Sequence, residues 1–445
     1  MKKLLAIILA LMTLTSTACA ETLRLYRISP TFDSGSVIFT ENHPDVQLVR
    51  SEDDYQETKD MVSQMVLREF HNDAFKMSNS IIDFRQIMEK GYCLDLSSNE
   101  QICALISRMH PYIAEQVMLD DQILGIPYNI SFSYVTVDSG WTEAGYTAQD
   151  IPRTYPQLLD FLQEWVQSDQ DDYGRITVIN TWDESLYGPD NYTAWLVEQF
   201  LGTYLLQLQF SGAPVRFNDP ELIELLQRTK DIGEALYQKE RVPNGKFQLL
   251  TSYYGWPQSL DEDVVCFNMS DDQPILIDAD FDILSAYAAT EHPELAMELL
   301  ESILANLEER SSAFFYLDAQ PVMSAFTASE MPRVIEDIAT LEEQLGSETL
   351  DIDEKDRLEL SLENARIYLD YLAMNEYEIS PQQLADYHHH IDQIAIIRST
   401  PFSRNTSMGW NFFQLENRFA QGQMTAAELV HELDRLAQMV AMENQ

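Results

Sequence analysis

Carboxylates are the commonest chemistry-bearing side chains in this sequence, with 73 Asp and Glu among 445 residues. Adjacent pairs such as Asp120-Asp121, Asp171-Asp172 and Asp271-Asp272 have the residue types of a glycosidase acid and nucleophile. At this density such pairs arise by chance, and spacing alone assigns neither role. Asp278-x-Asp280-x-Asp282 opens like a calcium loop, but Ile283 stands where the loop needs Gly and Ala289 where it needs Glu. The run Ile275 to Ile283 alternates with period two instead, which predicts a strand. His388-His389-His390 invites a metal reading, yet successive helix residues diverge by about 100° and cannot share one ion. His388 with Asp392 has the i, i+4 spacing of a two-ligand site, and a surface helix is the default. His431-Glu432 lacks a second His, and there is no G-x-S-x-G, P-loop or G-x-G-x-x-G. The expectation is a protein without catalytic residues, metal or cofactor.

The elements that would position a site are clearer. Asp120 to Asn129 reads as a turn followed by an extended segment, because Pro127 fixes its own φ and holds its predecessor extended. The β-rich run Phe132 to Val137 follows. The chain is expected to cross here between two lobes, with Ile275 to Ile283 as the return crossing and a ligand beside them. Upstream, strands over Thr22–Ile28, Val46–Val49 and Asp73–Met77 alternate with helices over Asp54–Phe70 and Ile81–Lys90. That order implies a parallel sheet, whose ligands gather beyond the strand carboxyl ends, at Ser29 to Asp33 and Ser78-Asn79. Further helices are marked by their caps: Thr154-x-x-Gln157, Asp219-Pro220 and Thr425-x-x-Glu428. Trp195 to Phe210 reads as an apolar helix, and Pro332 to Tyr377 as an acidic helix pair.

Lys2-Lys3, the apolar run Leu4–Leu14 and Ala18-Cys19-Ala20 make a signal peptide, cleaved most simply after Ala20. The alternative is a lipid-anchored Cys19. Without Lys2 and Lys3, 26 basic residues face 73 acidic ones, a net charge of −47. Such a chain repels nucleic acid and anionic lipid, and its high apolar content excludes global disorder. Its length exceeds one compact domain. Cys93 and Cys103 either close a small disulfide loop or stay as free thiols, and Cys266 is the third cysteine of the mature chain.

In order, these features resemble the extracellular solute-binding proteins of bacterial ABC importers, of the sugar-binding kind typified by maltodextrin-binding proteins. His43-Pro44-Asp45-Val46-Gln47-Leu48 is similar to the family's "P-x-[IV]-x-V" second strand, and Asp73-Ala74-Phe75 to its "pDv" third strand. Gly91 to Leu96 is similar to "G-x-L-x-D-L", and Gln122 to Tyr128 to the "G-x-x-Y-G-[IV]-P" hairpin. Pro152 to Phe161, His292 to Ala296 and Gln421 to Glu428 are similar to the "P-x-T-x-x-E-[LF]", "n-P-E-x-A" and "G-x-x-T-x-E-E-A" helices. Val137-Asp138 departs from the usual "YN", and the helical insert is longer and more acidic than in the family.

The resemblance implies an α/β periplasmic-binding-protein type II fold. Its two lobes would each hold a mostly parallel sheet flanked by helices, joined by hinge strands and followed by a helical C-terminal region. Lobe 1 would take residues 21–127 plus 275–328. Lobe 2 would take 128–274 plus 329–445, with 329–380 as the acidic insert. It implies capture of a carbohydrate and delivery to an ABC permease. Rival expectations are a secreted carbohydrate-active enzyme and a binder of peptides or polyols. Sugars need aromatic platforms and short polar side chains. The matching positions are Asp33, Ser78, Asn79 and Asn129 as polar partners, with Trp182, Tyr187, Tyr254, Trp256 and Trp410 as platforms. Tyr128 and Asn129 should lie at the cleft floor, between Ser78-Asn79 and Trp256.

Overall fold

Period-two alternation is realised in eight strands of one twisted sheet: β1 (Glu21–Tyr26), β2 (Val46–Arg50), β3 (Ala74–Ser78), β4 (Ile126–Val137), β5 (Leu250–Tyr254), β6 (Val264–Val265), β7 (Ile277–Ala286) and β8 (Ile394–Ile396). The computed structural model describes residues 21–31, 33–51, 58–168, 176–178, 189–240, 247–257, 260–265, 268–273, 275–346, 352–391, 394–396, 402 and 407–443. The signal segment, Trp182, Tyr187, Cys266 and Asp392 lie outside them. The helices used below are α1 (Ser34–Asn42), α2 (Tyr155–Gln167), α3 (Pro189–Ser211), α4 (Pro220–Glu240), α5 (Ala325–Leu345), α6 (Ile352–Met374), α7 (Pro381–His390), α8 (Ser407–Ala420) and α9 (Ala426–Glu443).

The sheet runs β6-β4-β7-β3-β1-β2, with β5 also on β4 and β8 also on β7. It is mixed rather than mostly parallel. β1 pairs parallel with β2 and β3, and β7 with β8, whereas β4 and β7 meet each other and their remaining neighbours antiparallel. The reason is that β4 and β7 are the outgoing and returning crossings of one chain, so they run in opposite directions. In the second lobe the described strand content beyond this sheet is a parallel pair, Ile176–Thr177 with Phe247–Gln248.

Two separate apolar cores define the lobes. Leu25, Phe75, Ile126, Phe132, Phe281 and Phe315 belong to the first, and Val135, Tyr155, Phe200, Leu226, Phe419 and Leu433 to the second. β4 enters the first core up to Phe132 and the second from Val135, so the crossing falls several residues beyond the expected 127/128 boundary. Ile379, Leu384 and Tyr387 pack into the first core, although the sequence reading gave 329–445 to the second lobe. The acidic insert is a hairpin of α5 and α6, linked by Arg366 to Glu342 at 2.7 Å. It begins at the Ser324 cap, about two turns before Pro332, which lies inside α5.

The cap motifs form as written. Thr154 and Gln157 close a capping box on α2, Asp219 accepts the Glu221 N–H at 2.9 Å, and Thr425 and Glu428 bond reciprocally before α9. Cys93 and Cys103 are free thiols. Burial pushes the Cys93 thiol up to about 12 against the opposing Ser285 hydrogen bond, so it is inert at neutral pH.

Asn79 locks the crossing. β3 and β8 follow one another along the same edge of β7, and the Asn79 side chain fills the junction. Its amide donates to the Ala279 carbonyl at 2.8 Å and its Oδ1 accepts the Phe281 N–H at 2.8 Å. The side chain thereby continues the ladder as if it were backbone, in a site 1% exposed. Asn79→Ala leaves two buried backbone groups unpaired. It should destabilise the protein by about 2–4 kcal/mol, read as a lower urea midpoint with an unchanged m-value.

Candidate ligand-binding cleft

The strand pairing dictates what the cleft presents. β7 buries Ile277, Ala279, Phe281 and Ile283 in the first core, so Asp278, Asp280 and Asp282 share its other face. Across the β4 ladder they oppose Ser133, Ser131 and Asn129. This polar face floors a cavity of about 380 Å³, within the range of small-molecule sites. The first-lobe side adds Asn79, Ser80, Ser133 and Tyr134. The opposite wall comes from two helices of the second lobe. Glu198, Gly202, Leu206 and Gln209 recur along one face of α3, and Gly409, Phe412, Phe413 and Glu416 along one face of α8.

The electrostatics are lopsided. Asp278 is exposed to the water of the cavity, yet the two walls hold off bulk solvent. That desolvation, followed by the charge of Asp280, pushes its carboxyl up to about 7, with the Ala279 N–H opposing. Desolvation and then the Asp282 charge also raise Asp280, against a hydrogen bond from Ser80. Asp282 is paired with Lys76 at 3.1 Å. Beyond it, the Tyr128 phenol is raised by burial and then by the Asp33 carboxylate to which it donates. Asp33 also caps α1, accepting the Ser36 N–H at 2.7 Å.

The structure brings only part of the expected site together. Asn79 lines the cavity, but its amide is engaged with β7. Ser78 is half-buried and shares a hydrogen bond with Ser80 at 3.0 Å. Asn129 is exposed opposite Asp282, and Asp33 with Tyr128 extends the same polar face. Tyr254 is 70% exposed, opposite Ser133 and on the strand face of Ser252, which lines the cavity. Trp410 is exposed on α8 beside Phe413, a lining residue, with ring centroids 5.6 Å apart.

Trp256 is not open to a ligand. It is 3% exposed in the first core, packed edge-on against Phe132 and Tyr387, with its indole N–H donated to Asp386 at 3.0 Å. Gly255, at φ +131°, lets the chain fold back there while its N–H bonds the Phe132 carbonyl. His388 is likewise not on a surface helix face. It packs against His110 with ring centroids 4.8 Å apart, and burial lowers both imidazoles, His110 to about 4. Among the described residues no group of three or more His, Cys, Asp or Glu could hold a metal ion.

The sequence reading missed the α3 and α8 faces. Their signal was present as the i, i+3, i+4, i+7 spacing of Gly409, Phe412, Phe413 and Glu416. Asp278 and Asp280 were read as strand residues without a role.

No protein-family profile matches the chain. No curated protein matches its sequence. Solved structures do match over nearly its full length. The ABC substrate-binding protein Lmo0181 from Listeria monocytogenes, in complex with cycloalternan, aligns with a TM-score of 0.51 at 11% identity, covering 95% of this chain and 98% of that one. The cyclic alpha-maltosyl-1,6-maltose binding protein from Arthrobacter globiformis gives 0.50 at 13% identity, covering 94% and 98%. Maltose-bound MalE3 of T. maritima gives 0.50 at 12%, covering 95% and 100%. The chain therefore has the two-lobed α/β fold of ABC solute-binding proteins.

The raised carboxyl of Asp278 has a consequence for stability. Its folded pKa lies above its ordinary value of 3.8, so ionisation disfavours the folded state. The penalty is absent below about pH 4, grows as pH rises and is complete above about 7. Without ligand, Asp278→Asn should melt higher than wild type at about pH 8, by roughly 1–2 °C because cleft water screens the charge. At about pH 3.5 the two should melt together.

Proposed function

We propose that this protein is the extracellular substrate-binding component of an ABC importer, capturing a carbohydrate between its lobes and delivering it to a membrane permease. The observation that carries the reading is the position of the cavity. It lies where β4, paired with β7, passes between two independent cores, with one wall from each lobe. Hinged closure about such crossings would enclose a solute on both sides. The lining suits a sugar: Ser80, Ser133, Gln199 and Gln209 offer hydroxyl and amide partners, and Tyr134, Phe412 and Phe413 offer ring faces for apolar C–H surfaces. The cycloalternan and maltose complexes of two structural neighbours, and the cyclic maltosyl-maltose that a third is named for binding, support a carbohydrate. A cleavable leader or a lipidated Cys19 would place the chain outside the membrane that houses its permease. Among the described residues no helix is long and apolar enough to cross a membrane.

Thermal melting with a panel of sugars tests the reading. A bound sugar at about a hundred times its Kd should stabilise by about 2.7 kcal/mol. Hydrolysis of that sugar on prolonged incubation would replace the binding-protein reading with an enzyme. A flat response to every sugar, with melting shifts for peptides or polyols, would replace the carbohydrate.

Gly202 locates the site independently. It faces the cavity from α3, and a Cβ there meets nothing within 4 Å. Gly202→Ala should stabilise the helix by up to about 1 kcal/mol. Gly202→Phe should fill the space between the walls and weaken sugar binding at least about tenfold, with native circular dichroism retained. Unchanged affinity in that variant would put the ligand elsewhere.

A further inference from the structure

The acidic hairpin of α5 and α6 contributes no described residue to the cavity lining, and its outer surface is more than a solvated face. α6 packs on α5 through Leu358, Leu362, Leu369 and Leu372, which are half-buried or buried. On the opposite side of the same helix, Leu360, Ile367, Tyr371 and Met374 are each more than half exposed. Their spacing keeps them within about 60° of one another around the helix axis, so they form one stripe about 21 Å long. A helix with apolar residues on opposite faces ordinarily lies between two neighbours. Among the described elements, α5 is the one neighbour on which α6 packs extensively. We propose that the outer face of α6 docks a basic amphipathic helix of a partner protein. The inference is independent of the cleft and of its solute.

Three observations set the occupant. First, the exposed stripe has the spacing of a coiled-coil seam over two heptads, with Leu360, Ile367 and Met374 at d and Asn364 and Tyr371 at a. A single Asn at an a position is the residue that fixes register between paired helices. Tyr371 is steadied by stacking on Tyr368, with ring centroids 6.2 Å apart and planes 10° apart, and ordered aromatic residues are common interface anchors.

Second, the charge beside the seam is sorted. The g positions are Asp356, Glu363 and Asp370, all exposed, whereas the e positions within α6 are Ser361 and Tyr368. Residues at g face the flanking positions of a paired helix, where Lys or Arg complements them.

Third, residues 325–374 hold 13 acidic and four basic residues, a net charge of −9. Two of the four cations already sit on hairpin carboxylates, Arg366 on Glu342 at 2.7 Å and Lys355 on Glu359 at 3.7 Å. A second copy of the hairpin would bring the same excess of negative charge, and an anionic lipid surface would repel it. A cationic helix with an apolar ridge complements both the stripe and its flank.

Fluorescence anisotropy of labelled three-heptad peptides, titrated with the full mature chain, tests this. The first peptide carries Leu at a and d, one Asn at a, and Lys at e and g. The second replaces every Lys by Glu, and the third keeps Lys but has Ser at a and d. The first should bind at least about tenfold tighter than either control. Ile367→Ser/Tyr371→Ser should weaken it at least about tenfold, with native circular dichroism retained because both side chains are exposed. Glu363→Lys/Asp370→Lys should turn the preference towards the Glu peptide, although the chain as a whole stays strongly acidic.

Equal binding of the Lys peptide that lacks the apolar seam would overturn the proposal, reducing it to bulk charge attraction. Unchanged affinity in either double variant would overturn it by placing the contact elsewhere on the chain. Sedimentation of the chain alone as a dimer, returned to monomer by Ile367→Ser/Tyr371→Ser, would make the occupant a second copy. Binding to phosphatidylcholine vesicles that the same variant abolishes would make it a lipid surface, and either result overturns the basic helix.

Discussion

The antiparallel ladder between β4 and β7 is the constraint on which the rest depends. One face of it buries Ile130, Phe132, Ala279 and Phe281 in the first core, and the other presents Ser131, Ser133, Asp278 and Asp280 to the cleft. A slip of one residue would exchange the faces, driving carboxylates into the core and phenylalanines into water. Each buried unpaired carboxylate would cost several kcal/mol, so the register is over-determined. The far edge of β7 is fastened as well, by β3, by the Asn79 side chain and by β8 in succession. The single irregularity, a shift between Asp282 and Ile283, leaves Tyr128 as the extra residue and turns it towards Asp33.

Much of this scaffold was legible in the sequence because it depends on short-range patterns. Alternation announced β1, β4 and β7, capping boxes announced α2 and α9, and Pro127 announced the extended crossing. The lobe boundary was not legible to the residue. β4 is one unbroken strand, and Phe132 and Val135 look alike in sequence although they enter different cores. The change of lobe is a tertiary property, with no turn residue to mark it. The mostly parallel character expected of the first-lobe sheet failed for a related reason, since strand direction follows from which segments return, and β7 comes back from the second lobe.

The site was less legible than the scaffold, and the errors are instructive in opposite directions. Trp256 has Gly and Pro beside it, which suggested an open loop. Here Gly255 serves to reverse the chain so that the indole can enter the core and find Asp386. Conversely, α3 reads as an ordinary apolar helix because it has two occupied faces. Val197, Phe200 and Leu201 of α3 pack in the second core, while Gly202, Leu206 and Gln209 face the cavity. Periodicity locates an apolar face but does not say whether a neighbouring helix or a solute will cover it.

The same strand thus supplies both the stability of the hinge and the charge of the cleft, and this couples them. The backbone pairing of β7 holds Asp278 and Asp280 in place whether or not their charges are compensated. Their raised carboxyls follow from that fixed placement, through desolvation and the neighbouring charge. Closing the lobes would bring the α3 and α8 wall nearer to these groups and remove more of their water. Closure of an empty cleft is then opposed by further desolvation of the two carboxyls. Closure around a solute that donates hydrogen bonds to the same carboxyls would offset that cost. The difference between those two states supplies a physical basis for an open form without solute and a closed form with it, without any change in the ladder itself.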